Sequence, residues 1–324
     1  VYTRYGSPEE LQLRDIPTPM PKPNEVLVKV YASSINSWDD DLLKGKPFLV
    51  RLIGGLRQPR HQVLGADVAG RVVSLGSQVQ DFKIGDEVMG DIAGCGFGGF
   101  AEYVSVPENL LARKPSAMSF AQAAALPQAG LLALQGLQRK RDIQEGQEVL
   151  INGAGGGVGT LAVQYARFKG ARITCVDRAG KEVVLRSLGA DKFIDFTRED
   201  YTRNGQKYDV ILDVIAHRSV SDYRRALKPD GRFVMIGGSM GLLLLQMMLA
   251  TFVTSRFGSK KLGIMGYKPN RKDLDYLGRL FEEGILIPVI DKRYPLAETA
   301  AAFRYFESGG VKGKIIIAVD DSEQ

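Results

Sequence analysis

Cysteine, histidine and tryptophan are scarce in this chain: two, two and one among 324 residues. Cys95 and Cys175 lie far apart and build no disulfide framework, which points to a reducing compartment. That makes the cytoplasm the expected location by default, and the first residues show no signal pattern. Long apolar runs are also absent. The longest, Met240–Val253, is broken by Gln246 and is too short to span a bilayer, which excludes stable membrane insertion. Nor do like charges run together. The net charge is +6, but Lys and Arg are scattered, which excludes a nucleic-acid footprint and suits an anionic small molecule.

What is present is the composition of an ordinary globular protein, 44% hydrophobic and 25% charged, and enough chain for two domains. Its most informative segment is residues 148–159, Glu-Val-Leu-Ile-Asn-Gly-Ala-Gly-Gly-Gly-Val-Gly. An apolar strand runs into glycines, and a helical pattern follows from Thr160 to Lys169. Ala154, Gly156 and Gly159 keep the one-three-six spacing of a dinucleotide fingerprint, with Gly155, Gly157 and Val158 completing the turn. A backbone without side chains lets a pyrophosphate approach a helix N-terminus, where free N–H groups and the positive end of the dipole favour anions. A second strand, Arg172 to Val176, ends in Asp177, where an acid meets an adenosine ribose.

The first third reads as β-rich, with short alternating strands at 25–31, 68–75, 87–89 and 101–106 punctuated by glycine and proline; a twisted, barrel-like domain fits them. Ser119 and Gln122 form a capping-box signature ahead of an alanine-rich helix that Pro127 interrupts. Strands at 148–152, 171–176, 192–195, 208–214, 232–237 and 262–267, separated mostly by helical stretches, then describe a doubly wound six-stranded parallel sheet. A helix over 274–283 and a last strand over 313–319 return the chain to the first domain. The expected domains are 1–121 with 268–324, and 122–267.

With these segments in hand the chain resembles the medium-chain dehydrogenase/reductase family, in its zinc-free, quinone oxidoreductase-like branch. The resemblance rests on Ser34-Ile-Asn-Ser-Trp-Asp39, Val63-Leu-Gly-Ala-Asp-Val-Ala-Gly70, Phe82-Lys-Ile-Gly-Asp-Glu-Val88, Gly99-Phe-Ala-Glu-Tyr-Val104, Ala124-Ala-Leu-Pro127, the glycine turn, Leu188-Gly-Ala-Asp191 and Lys312-Gly-Lys314. It implies an α/β protein in which a GroES-like β-rich catalytic domain is interrupted by a Rossmann domain. Zinc-dependent members need three catalytic ligands and four structural cysteines. Here the first catalytic cysteine position falls near Asn36, the Gly-His-Glu segment is Gly65-Ala66-Asp67, and His61 and His217 are the only histidines, so no zinc is expected.

Without a metal, hydride transfer relies on the nicotinamide, on proximity and on hydrogen-bond donors aimed at the developing oxyanion, which suits quinones and α,β-unsaturated carbonyls. The resemblance puts Asn36 forward as that donor and Asp39 as a group that organises its loop or relays a proton; a turn residue and a plain surface carboxylate are the alternatives. Asp213 and His217 follow the fourth strand of the parallel sheet, and Gly237 and Gly238 the fifth, where strand ends line a ligand crevice. Asp177 favours NAD(H) by repelling a 2′-phosphate, Arg178 and Lys181 favour NADP(H) by gripping it, and the family's habit tips the expectation to NADP(H). The expected activity is an NAD(P)H-dependent reduction of small hydrophobic quinones or enones by a homodimer. An alcohol or enoyl-thioester oxidoreductase and a cofactor-binding protein without turnover are the competing readings. The Leu- and Met-rich segment Ser239–Arg256 is either a packing helix, a wall of the substrate pocket or a membrane-surface element.

Overall fold

The computed structural model describes residues 1–238, 246 and 259–320, which form two compact units, Val1–Leu131 with Pro269–Gln324, and Leu132–Lys268. The fold is the GroES-like plus Rossmann α/β arrangement the sequence implies. The unit boundary falls inside a helix, α4 (Pro127–Gln138). The segment ahead of it, α3 (Phe120–Ala125), packs on strands of the first unit. Ser119 and Gln122 exchange both capping-box bonds, 3.2 and 3.0 Å, and Pro127 opens α4 at its first turn.

The first unit is a seven-stranded sheet built from β1 (Glu25–Ser34), β2 (Asp67–Leu75), β3 (Glu87–Asp91), β4 (Tyr103–Pro107), β5 (Leu111–Arg113), β12 (Ile290–Pro295) and β13 (Lys314–Ala318). Their order is β12-β13-β1-β2-β3-β5, with β4 also on β1. Breaks in the β1/β2 register at Leu27/Val28 and Val30/Ala32 bend β1 enough to serve three partners. Val26, Val28 and Val30 of β1 meet Val68, Val72, Val88 and Val106 in a buried β-branched core. Helix α1 (Ser37–Lys44) leaves β1 at Asn36 and leads to the short α2 (Val50–Gly54). In the C-terminal part, α8 (Arg271–Glu282) is capped by Asn270, whose side chain accepts from the Asp273 N–H at 2.9 Å, so this helix starts three residues before the expected Leu274.

The second unit is a six-stranded parallel sheet in the order β11-β10-β9-β6-β7-β8, from β6 (Glu148–Asn152), β7 (Arg172–Asp177), β8 (Lys192–Asp195), β9 (Tyr208–Asp213), β10 (Leu227–Met235) and β11 (Lys261–Ile264). Helices α5 (Gly157–Phe168), α6 (Glu182–Leu188) and α7 (Val220–Ala226) make the crossovers. The order reverses between β7 and β9 on either side of β6, a topological switch point, and ligand crevices open beyond the carboxyl ends of strands at such points. Two strands differ from expectation. β10 begins at Leu227, because Leu227 pairs with Tyr208 before the ladder breaks over Lys-Pro-Asp-Gly and resumes at Arg232. β11 ends at Ile264 rather than 267. Of Ser239–Arg256, all but Gln246 lies outside the described residues.

Candidate active site

In the second unit the glycine turn joins β6 to α5, and each of its residues has a distinct geometric role. Gly153 turns with φ 77°, and Gly156 caps α5 in an extended conformation. At Gly159 a Cβ would stand 2.4 Å from both the Cα and the carbonyl of Ala154, so only glycine lets the helix pack this close to the strand end. Among the described residues, a Cβ at Gly156 would meet nothing nearer than the Gly153 carbonyl at 3.7 Å, which leaves this side open. Among the described residues no group accepts from the N–H of Gly157 or Val158, the orphan donors of the first helical turn. An open face in front of unpaired amides fits the pyrophosphate of a dinucleotide.

Asp177 ends β7 with its carboxylate turned into the turn: it accepts from Gly155 N–H and Arg178 N–H, both at 2.8 Å, and pairs with Lys181 Nζ at 3.3 Å. Lys181 is thereby committed, whereas Arg178 is exposed and its guanidinium has no partner among the described residues. Asp213 is fully buried. It accepts from Asn152 Nδ2 at 2.8 Å, Ile215 N–H at 3.1 Å and the Tyr201 hydroxyl at 3.2 Å, and burial raises its pKa. It therefore ties the ends of β6 and β9 together, with both oxygens accepting hydrogen bonds from the protein. His217 is exposed, with Nδ1 3.1 Å from the Ile215 carbonyl. At Gly238, φ 134°, a Cβ would stand 2.1 Å from the Ala216 carbonyl, and at Gly237 2.7 Å from that of Val214. Close approach to the β9 loop alone thus requires both glycines.

In the first unit the end of β1, the start of α1, β2 and β13 bring together a buried polar cluster. Asp67 Oδ2 accepts from Ser34 Oγ at 2.5 Å, Asn36 Nδ2 at 2.9 Å and Lys314 Nζ at 3.1 Å, and its Oδ1 accepts from Gln128 N–H at 2.8 Å. Lys314 spends its other two hydrogens on Asn36 Oδ1 at 2.6 Å and the Ile35 carbonyl at 3.2 Å. Asn36 therefore donates to Asp67 and, through a long 3.4 Å contact, to the Ser34 carbonyl. Asp39 is completely buried and accepts from the N–H groups of Asn36 and Gly65, both at 2.9 Å. It ties the Asn36 turn to Gly65 and presents no exposed surface. Trp38 packs against the neighbouring apolar core.

Sequence reasoning singled out Asn36 and Asp39 but passed over Asp67 and Lys314. Their signal was a charge set at the mouth of an apolar strand, in Gly65-Ala-Asp67 before Val68 and in Lys314 before Ile-Ile-Ile. The cluster has a titration consequence. Burial, the dominant influence, and the Asp67 charge push Asp39 from 3.8 up to about 7, against the Gly65 and Asn36 amides and the Lys314 charge. With the folded value above the unfolded one, this carboxyl's contribution to stability is complete below about 4 and is lost as pH rises through about 7. Asp39→Asn removes that dependence. Thermal unfolding at pH about 5 and about 8 is expected to show the wild type losing ground to the variant at the higher pH; a pH-independent difference would contradict it.

Comparisons with known proteins identify the family. The "Alcohol dehydrogenase GroES-like domain" family matches residues 22–116 and the "Zinc-binding dehydrogenase" family residues 188–317. A 2-methylene-furan-3-one reductase of Solanum lycopersicum is 37% identical over 98% of this chain and 77% of its own. An NADPH-dependent alkenal/one oxidoreductase, chloroplastic, of Arabidopsis thaliana is 33% identical over 98% of this chain and 78% of its own. The structure of the quinone oxidoreductase from Coxiella burnetii superposes with TM-score 0.86 and 31% identity over 98% of both chains. The chain is an enzyme and belongs to the medium-chain dehydrogenase/reductase family, in its quinone oxidoreductase-like branch.

Proposed function

We propose that this enzyme reduces quinones or α,β-unsaturated carbonyls with NAD(P)H and without a metal ion. The observation that carries the reading is the closed oxygen set around Lys314: its ammonium fills the space among Asn36 Oδ1, Asp67 Oδ2 and the Ile35 carbonyl with hydrogen bonds of 2.6 to 3.2 Å. Asn36 and Asp67 lie in segments where the resemblance puts the ligands of zinc-dependent relatives, and a buried ammonium already contacts both. Among the described residues no cluster of three or more His, Cys, Asp or Glu offers another metal site. The donor set does not fit zinc.

The glycine turn holds the cofactor's pyrophosphate on the amides of Gly157 and Val158. When bound, the reduced nicotinamide supplies a hydride. For the acceptor oxygen the chain offers Asn36. Its 3.4 Å bond to the Ser34 carbonyl is long enough to be exchanged for a substrate oxygen while the 2.9 Å bond to Asp67 fixes the amide. Lys314 on Oδ1 polarises that amide and strengthens its remaining N–H as a donor. One such donor is worth on the order of 3 kcal/mol at a developing oxyanion, sufficient for an acceptor whose charge delocalises. Asp177, its charge paired with Lys181, opposes a 2′-phosphate weakly, and exposed Arg178 is free to grip one, which supports NADP(H) over NAD(H). A homodimer and, from the cysteine usage, a reducing cytoplasmic compartment complete the proposal.

The test follows NADPH and NADH consumption with quinones, enones and simple ketones, in chelator and alongside elemental analysis. Turnover of quinones or enones with no stoichiometric zinc is expected, and Arg178→Ala is expected to raise the KM for NADPH several-fold with little effect on NADH. One zinc per chain whose removal abolishes activity, or cofactor binding without turnover on the whole panel, would overturn the reading.

A further inference from the structure

Helix α2 is amphipathic in reverse. Val50 and Gly54, four residues apart, face the protein, and Gly54 approaches Leu42 so closely that a Cβ there would lie 2.7 Å from its Cδ2. Arg51 braces the same side, bonding the Gly45 carbonyl at 3.0 Å with its guanidinium over the Tyr5 ring. The outer side carries Leu49, Leu52 and Ile53 at helical spacing, continued by Phe48 before and Leu56 after, with exposures from 43% to 64%. The far end is held by the Arg60 N–H on the Gly54 carbonyl at 2.6 Å and the Tyr5 hydroxyl on that of Gly55. A braced segment is thus displaying apolar side chains to solvent. Single exposed hydrophobes are ordinary, but five within Phe48–Leu56 form a contiguous patch of the kind that marks an interaction surface.

The charges around the patch identify what it meets. From Leu42 to Ala66 the chain contains no Asp or Glu, and Lys46, Arg57 and Arg60 are exposed with no side-chain partner among the described residues. An apolar strip flanked by unpaired cations is complementary to an anionic lipid surface: the side chains enter the headgroup boundary while the cations meet phosphate and carboxylate groups. A second copy of the chain in a two-fold contact would oppose the same cations, so self-association is disfavoured on this face.

We propose that residues 46–60 dock this enzyme reversibly on anionic bilayers, with the α2 stripe entering the interface and Lys46, Arg57 and Arg60 on the headgroups. The docking is peripheral, since no helix among the described residues is long and apolar enough to cross a membrane. It goes beyond the catalytic reading and does not depend on it, and its test reads binding alone.

The experiment sediments the full chain with vesicles of phosphatidylcholine, alone or mixed with phosphatidylserine, at low and high salt. Wild type is expected to partition at least about tenfold more onto the anionic vesicles and to be released by salt. Leu52→Ser with Ile53→Ser, and separately Arg57→Gln with Arg60→Gln, are each expected to reduce that partitioning roughly tenfold with thermal midpoint and cofactor binding unchanged. Equal binding to neutral vesicles, no binding to either, or binding retained in both variants would overturn the proposal. So would a change of oligomeric state in the Leu52/Ile53 variant, which would assign the stripe to a second copy.

Discussion

Gly156→Val is expected to fold normally and to lose nicotinamide-cofactor affinity by roughly a hundredfold or more, the loss of about two charge-assisted hydrogen bonds. The backbone of Gly156 is extended at φ −86°, ψ 178°, a conformation any residue adopts, and no described residue crowds a Cβ there. The helix start loses a few tenths of a kcal/mol to about 1 kcal/mol from a poorer cap. The branched side chain instead fills the space through which a pyrophosphate reaches the Gly157 and Val158 amides. Gly159→Ala makes the contrast, since its Cβ would collide with the Ala154 backbone at 2.4 Å and disturb the fold itself. Calorimetric binding of NADPH with unfolding curves separates the two outcomes. Unchanged affinity in Gly156→Val would show that the phosphates bind elsewhere.

The second large effect is expected at Lys314. Lys314→Met leaves Asp67 as a fully buried carboxylate without its cation, and breaking one side of a buried pair costs about 3–5 kcal/mol. That corresponds to a midpoint lower by roughly 10 °C. Adding Asp67→Asn removes the uncompensated charge, so the double variant is expected to be more stable than Lys314→Met alone, with a coupling energy of about 1–3 kcal/mol. Additive losses would mean that the pair does not hold the cluster. If the double variant folds yet remains inactive, the ammonium also sets the donor strength of Asn36.

The parts of this molecule that were legible in the sequence are those coded by short-range pattern. The parallel sheet reads from apolar runs at regular spacing, the turn from glycines between a strand and a helix, and the Ser119 cap from a residue pair three apart. Strand-end residues such as Asp213, Gly237 and Gly238 were located but not oriented. A sequence marks where a strand stops, whereas the direction a side chain faces depends on partners such as Asn152, which lies 61 positions earlier. The Asp67–Lys314 pair was invisible for a related reason, being 247 positions apart and joined only when β13 pairs with β1. β10 was shortened because Lys-Pro-Asp-Gly reads as a turn, yet Leu227 before it already pairs with Tyr208.

The pairing of β1 with β13 also orders events during synthesis. The second unit is one continuous stretch, Leu132–Lys268, and is complete on the ribosome before the first unit has received Pro269 onward. Until Lys314 emerges, Asp67 lacks its cation and the Ala32–Ser34 part of β1 lacks its β13 neighbour. Closure of the first unit is therefore a non-local step, with the slow kinetics of such contacts.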